Sequence, residues 1–156
     1  MQTMPFFGPT FILEMPTDWF VGASAQFQAS LRSPVPDGDI FPNLVIAIRR
    51  LEEGATLKEV ITSARQTQEQ QYPGFRPVSE TPLTTNSVPG IRRRFEWQPP
   101  GRETAVHQQQ VSFLASQQLY VLTATRATGS ENAAVLDGIF DHMIGSFEFR
   151  GPQPAA

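Results

Sequence analysis

Apolar and polar positions along this chain change period several times, and each change marks an element. Residues 10–15 form a short apolar run stopped by Pro16, with a turn at Thr17-Asp18. Residues 25–32 alternate: Phe27, Ala29 and Leu31 fall on one side, Gln26, Gln28 and Ser30 on the other. That period of two predicts a half-buried strand. Residues 33–42 carry three prolines and two aspartates and read as a loop. Residues 43–49 are apolar at successive positions, which predicts a central strand covered on both faces. The period then becomes helical. Leu57, Val60, Ile61, Ala64 and later Tyr72 repeat at i, i+3, i+4 and i+7. Thr56 precedes them, and Glu59 stands three residues on, the spacing of a capping box. Pro73-Gly74 ends the helix.

Four strands are predicted after it. Residues 75–83 hold Pro77 and Pro82, which confine that strand to a sheet edge. Residues 86–90 turn the chain into 91–97, where Ile91, Arg93, Phe95 and Trp97 share one face and Arg92, Arg94 and Glu96 the other. Residues 104–115 and 119–126 complete a meander, and its short connections imply antiparallel pairing. A second helix is expected over residues 130–144, capped by Thr128 or Ser130, with Val135, Leu136, Ile139, Phe140 and Met143 as its buried stripe. Gly145 ends it before a last short strand at 147–149. Two amphipathic helices and an antiparallel sheet define an α+β chain, an α/β/α sandwich with one helix on each face.

Composition narrows the functions open to such a domain. The chain has 156 residues and no cysteine, which removes disulfides, thiolate metal sites and thiol nucleophiles. The formal charge of −3 argues against a general nucleic-acid binder. Lys58 is the one lysine, so there is little to serve as a Schiff-base or phosphate-loop group. Residues 1–9 have no basic segment ahead of their apolar residues and are broken by prolines, which does not match a secretory leader. They are expected to be an extension, followed by one domain over 10–150 and a frayed tail over 151–156. No run reaches the roughly 18 apolar residues of a membrane span. The expected location is cytoplasmic.

The search for chemistry returns little. No Gly-x-Ser-x-Gly occurs, and only His107 and His142 are present. Both read as surface or boundary residues rather than members of a triad. Asp141 and His142 are neighbours in sequence and diverge by about 100° on a helix, which does not suit shared metal ligation. Asp37-Gly38-Asp39 lacks the rest of a calcium ladder and reads as a turn. No catalytic residue, metal or cofactor is expected.

Binding features are more prominent. Arg92, Arg93 and Arg94 are consecutive on a strand. Their plain role is a sheet surface with packed stems and wet heads, and their functional role is recognition of acidic groups or backbone carbonyls. Gln108, Gln109 and Gln110 read as a solvated sheet face that can also satisfy a partner's backbone. Arg92, Arg94, Gln108 and Gln110 are expected to form one polar contact set if their strands pair in suitable register. Phe6, Phe7, Phe20, Phe41 and Phe75 fall outside strong periodicity and are candidates for lining a groove.

The opening Phe11, Pro16 and Trp19, the Asn-Leu-Val-Ile strand at 43–46 and the closing Ser146, Phe147 and Phe149 together resemble the DcrB-related domains, which share the fold of PsbP and Mog proteins. The resemblance covers roughly residues 10–150. It implies an α/β/α sandwich around an antiparallel sheet and a non-enzymatic role. The leaderless Eag chaperones of that fold are dimers that cradle apolar segments of type VI secretion effectors in the cytosol. The expectation is therefore a cytosolic chaperone or adaptor, possible as a homodimer, for an effector or other polypeptide. The alternatives are a structural subunit of a larger assembly, or a small-ligand or ion-binding module.

Overall fold

The computed structural model describes residues 1–24 and 27–150. Five strands come first: β1 (Thr3–Phe7), β2 (Phe11–Pro16), β3 (Phe20–Ser24), β4 (Phe27–Arg32) and β5 (Asn43–Arg50). Helix α1 (Leu57–Gln71) leads to the meander β6 (Arg76–Thr85), β7 (Val88–Trp97), β8 (Val106–Ala115) and β9 (Gln118–Ala127). Helix α2 (Ala133–Gly145) and β10 (Glu148–Phe149) follow. The large sheet runs β3-β4-β5-β9-β8-β7-β6, and a small one runs β1-β2-β10. Every pair in both is antiparallel.

Local chemistry explains the boundaries. The Thr56 hydroxyl accepts from the Glu59 N–H and the Glu59 carboxylate accepts from the Thr56 N–H, so the capping box forms as its spacing predicts. The hairpins β6–β7 and β8–β9 turn on Asn86-Ser87 and Ser116-Gln117, and all four residues have positive φ. Two left-handed residues in succession give the turn whose twist matches that of the flanking strands. Pro77 and Pro82 lie on the edge strand β6, where a missing N–H costs no ladder bond in the sheet interior.

Adjacent residues of β8 show how the layers stack. Gln68 Nε2 of α1 donates to Gln110 Oε1 at 3.5 Å, while Gln109 Nε2 donates to Asp141 of α2 at 3.2 Å. Successive strand residues face opposite ways, so the helices cover opposite faces of the large sheet. The α2 face carries the main core. Leu31, Leu44, Ile46, Val111, Phe113 and Leu122 are fully buried there against α2 and the small sheet, which contributes Phe11, Leu13 and Met15.

Several elements differ from expectation. The N-terminal segment forms β1, and Pro5 opposes Glu14 at an edge where proline is tolerated. Residues 20–24 form β3, which pairs with β4. The predicted strand over 25–32 begins at Phe27, and Ala25 and Gln26 lie outside the described residues. In α2, Val135 is 64% exposed, so it does not join the buried stripe of Leu136, Phe140, Met143 and Ile144. The helix is rotated to bring Asp137 and Asp141 toward the sheet, where Asp137 pairs with Arg126. Ser130 does not cap α2; it donates to Asp37 and accepts from the Asn132 N–H. No helix among the described residues is long and apolar enough to cross a membrane.

Candidate functional site

The two faces of β4, β5 and β9 are unequally covered. On the α2 side Ala29, Leu31, Leu44, Ile46, Leu122 and Ala124 are fully buried. On the α1 side Ser30, Val45, Ala47, Thr123 and Thr125 remain partly exposed. The cause is the position of α1, which packs chiefly on β8. Its contacts run toward the far edge: Arg65 pairs with Glu80 on β6, and Tyr72 stacks on Trp97 of β7 at 4.0 Å. The sequence expectation that β5 is covered on both sides thus holds for one side and fails for the other.

The floor of the open half is polar but internally satisfied. Trp97 Nε1 donates to Gln108 Oε1 at 2.8 Å, and Gln108 Nε2 donates to Thr125 at 2.9 Å. Gln110 Nε2 donates to Thr123 at 3.1 Å. The sequence reads these glutamines as a solvated face; instead each amide is held by a neighbour and at least partly covered. Their alkyl stems and the methyls of Thr123, Thr125 and Val45 leave a mixed surface with few unmet polar groups.

At one end this surface deepens into a cleft of about 370 Å³ between Arg32, Phe41, Asn43, Trp97, Arg102 and Thr125. The Arg32 guanidinium lies over the ring of Phe41 at 4.7 Å and that of Phe20 at 5.8 Å. Both rings are open to solvent, Phe20 at 57% and Phe41 at 39%. Arg102 enters from the β7–β8 loop and donates to the Asp39 carbonyl at 2.8 Å. Among the described residues neither arginine has a carboxylate oxygen within 4.0 Å. The nearby Asp39 carboxylate is held below its ordinary pKa chiefly by the Thr104 hydroxyl and then by the Glu103 N–H.

The register of β7 with β8 places the predicted contact set on both sides of the sheet. Arg92 opposes Val111 and Arg94 opposes Gln109, whereas Gln108 opposes Phe95 and Gln110 opposes Arg93. Gln108 and Gln110 therefore belong to the open α1 face, while Arg92 and Arg94 belong to the α2 face. Arg92 sits 3.8 Å from Asp141, and Arg94 donates to Gln109 at 3.0 Å. Arg93 departs from the expectation of a wet head. It is 4% exposed, lies over Phe95 at 5.3 Å, and faces Glu80 at 3.6 Å. Burial lowers its pKa, and Glu80 opposes that shift.

The histidines stand apart. His142 Nε2 contacts the Glu14 carboxylate at 2.7 Å, tying α2 to β2. His107 lies 3.8 Å from Glu96 with a largely buried ring. Burial, then the Arg126 charge, lowers its pKa from the ordinary 6.5. The unfolded chain then takes up this proton before the folded one does, so stability falls as pH drops below about 6.5. Replacing His107 with Gln is expected to flatten urea-unfolding midpoints over that acid range; an unchanged slope would remove His107 as the cause. Among the described residues no three His, Asp or Glu side chains converge as a metal site.

Two helices on opposite faces of an antiparallel sheet make an α+β sandwich, and solved structures of the PsbP and Mog type share this fold. The particular family is given by the sequence: the DcrB family model matches residues 34–135, and the chain belongs to that family. A search of curated proteins returns no match to the sequence. Among solved structures the chain resembles PsbP (CyanoP) from Synechocystis sp. PCC 6803, with TM-score 0.69, 13% identity, and 94% and 92% of the two chains covered. It also resembles LpqN of Mycobacterium tuberculosis, involved in cell envelope biogenesis, with TM-score 0.67, 16% identity, and 96% and 91% covered. The Saccharomyces cerevisiae Ran-binding protein Mog1p matches with TM-score 0.63, 9% identity, and 95% of both chains covered. At these identities the likeness is one of fold.

Proposed function

We propose that this protein is a non-enzymatic binding protein, a chaperone or adaptor that holds a partner polypeptide on the open half of its α1 face. The observation that carries the reading is the unequal covering of β4, β5 and β9. Residues that alternate with a fully buried row are left partly exposed although the chain has a helix on that side. A segment laid across Val45, Ala47 and the threonine and glutamine stems would hide its own apolar side chains, at about 25 cal/mol per Å² covered. Gln108 and Gln110 belong to this surface; on the opposite face Arg92 meets Asp141 of α2 and Arg94 holds Gln109. The Mog1p neighbour is described as Ran-binding, which supports protein binding as a use of this fold. A secreted effector with an apolar segment, met in the cytoplasm before export, is the partner that suits the resemblance and the surface together.

The test compares capture by the parent protein with capture by two charged variants, using extract from its own cells. Val45→Arg places a cation in the middle of the open face. Val135→Arg places one on the exposed side of α2. The reading expects polypeptides bound by the parent to be retained by Val135→Arg and lost by Val45→Arg, a drop of about tenfold or more. If Val45→Arg keeps its fold by circular dichroism and retains the same polypeptides, the open face is not the binding surface.

A further inference from the structure

We infer that the cleft at the end of the open face receives an acidic side chain of the partner polypeptide, one adjacent to an apolar residue that packs on Phe20 and Phe41. This inference rests on the binding face proposed above and assigns its partner's chemistry.

Three observations converge. The first is charge. Arg32 and Arg102 both line the cleft, no aspartate or glutamate lines it, and neither arginine has a carboxylate within 4.0 Å among the described residues. Elsewhere on the molecule Arg65, Arg76, Arg92, Arg93, Arg126 and Arg150 each have a carboxylate partner. Arg49, Arg50, Lys58 and Arg94 also have no carboxylate within 4.0 Å among the described residues; what sets the cleft apart is two such arginines in one lining that holds no acid.

The second is preorganisation. Arg32 rises from β4 with its guanidinium over two aromatic rings, which fix the plane of the fork without using its N–H donors. A planar, always-charged fork held in place matches a carboxylate in two parallel hydrogen bonds. The rings that hold it are themselves exposed, so an apolar side chain next to the acid finds a place on Phe20 or Phe41.

The third is the floor. Gln108 spends its oxygen on Trp97 and its nitrogen on Thr125, and the Asn43 amide donates to the Phe41 carbonyl at 2.9 Å. Thr125 lines the cleft and accepts from Gln108, and its hydroxyl keeps one proton to donate. The Asn43 amide oxygen is the side-chain acceptor left in the lining, and the Asp39 carboxylate lies beyond it near Arg102; within the cleft the two cations and the remaining donors outnumber it. A carboxylate satisfies that inventory and an ammonium or guanidinium does not.

Peptide selection on the intact protein tests this. Random dodecapeptides displayed with a blocked C-terminus are selected against the parent and against the Arg32→Gln/Arg102→Gln variant. Selected sequences are then synthesised as C-terminal amides and titrated by tryptophan fluorescence, with Val45→Arg as a face control. The expected result is Asp or Glu next to an aromatic or aliphatic residue in peptides selected by the parent. Affinity should fall about tenfold or more in the double variant and on Glu→Gln replacement in the peptide. Peptides that Val45→Arg rejects but that show no acidic preference would overturn the inference and leave the binding face standing. Binding only by peptides with a free C-terminal carboxylate would overturn it in favour of a chain terminus. No selectable peptide at all would remove the binding face and this inference with it.

Discussion

Phe147→Ala is expected to destabilise the fold by about 3–5 kcal/mol, the range for deleting a fully buried aromatic ring. Phe147 follows α2 and is the hub of the aromatic core. Its ring stacks on Phe11 at 5.3 Å and on Phe113 at 5.5 Å, and it meets Tyr120 and Phe149 edge-on at 5.9 and 5.0 Å. Those partners belong to β2, β8, β9 and β10, so one side chain joins both sheets. The Phe147 carbonyl also accepts from the Asn86 side chain at 2.6 Å, which ties the β6–β7 turn to the same point. Truncation leaves a void among rings whose backbones are fixed by two sheets and cannot collapse into it. Urea unfolding followed by circular dichroism measures the effect. A loss below about 1.5 kcal/mol would mean that the cluster repacks freely and that the two sheets are not coupled through it.

Gly90→Ala is expected to cost about 3 kcal/mol, near the upper end for overpacking. Gly90 opposes Phe113 across β7 and β8, and the Phe113 ring lies over it. A β-carbon there would stand 2.7 Å from two ring carbons and 2.8 Å from the Ser112 carbonyl oxygen. The ring cannot retreat, because its other face is stacked on Phe147 at 5.5 Å, nearly parallel at 7°. The backbone oxygen is fixed by the sheet. Adding Phe113→Leu should recover part of the loss, since a smaller side chain opens space over the glycine. A double-mutant cycle reads this coupling directly. Strict additivity of the two losses would show that the strain at Gly90 comes from the Ser112 carbonyl and not from the ring.

Features set by neighbours in sequence were readable from it. The capping box of α1 needs only Thr56 and Glu59, and the faces of β7 need only the alternation of Arg93, Phe95 and Trp97 with Arg92 and Arg94. The sandwich architecture and the DcrB resemblance followed from such local patterns. Features set by pairing were not readable. Whether Gln108 shares a face with Arg94 depends on the register of β7 and β8. That register passes through a proline-rich loop with no fixed turn geometry, and a shift of one residue exchanges the faces. The same limit hid the burial of Arg93, which depends on where α1 crosses the sheet. Val135 was misplaced because the stripe of α2 was drawn from apolar residues alone. Asp137 and Asp141 are drawn toward the sheet by Arg126 and Gln109, and this turns Val135 outward. The cleft was half legible: Phe20 and Phe41 stood out as aromatics beyond any periodicity, but nothing in the sequence joined them to Arg32 and Arg102.

The order of strands in the large sheet bears on how the chain reaches this state. Strands β6 to β9 are neighbours in sequence and in space, and two of their three connections are two-residue turns. Such hairpins form from local encounters within microseconds. β5 instead pairs with β9 over eight residues, and between them lie α1 and the three other strands of the meander. Closing that long loop must precede any gain from the contact, so the pairing of β5 with β9 is expected to carry the largest loop-closure cost in the large sheet. Until it happens, β9 is a bare edge presenting Leu122 and Ala124 to other chains. The nascent protein is most open to misassociation while it waits for its own central strand.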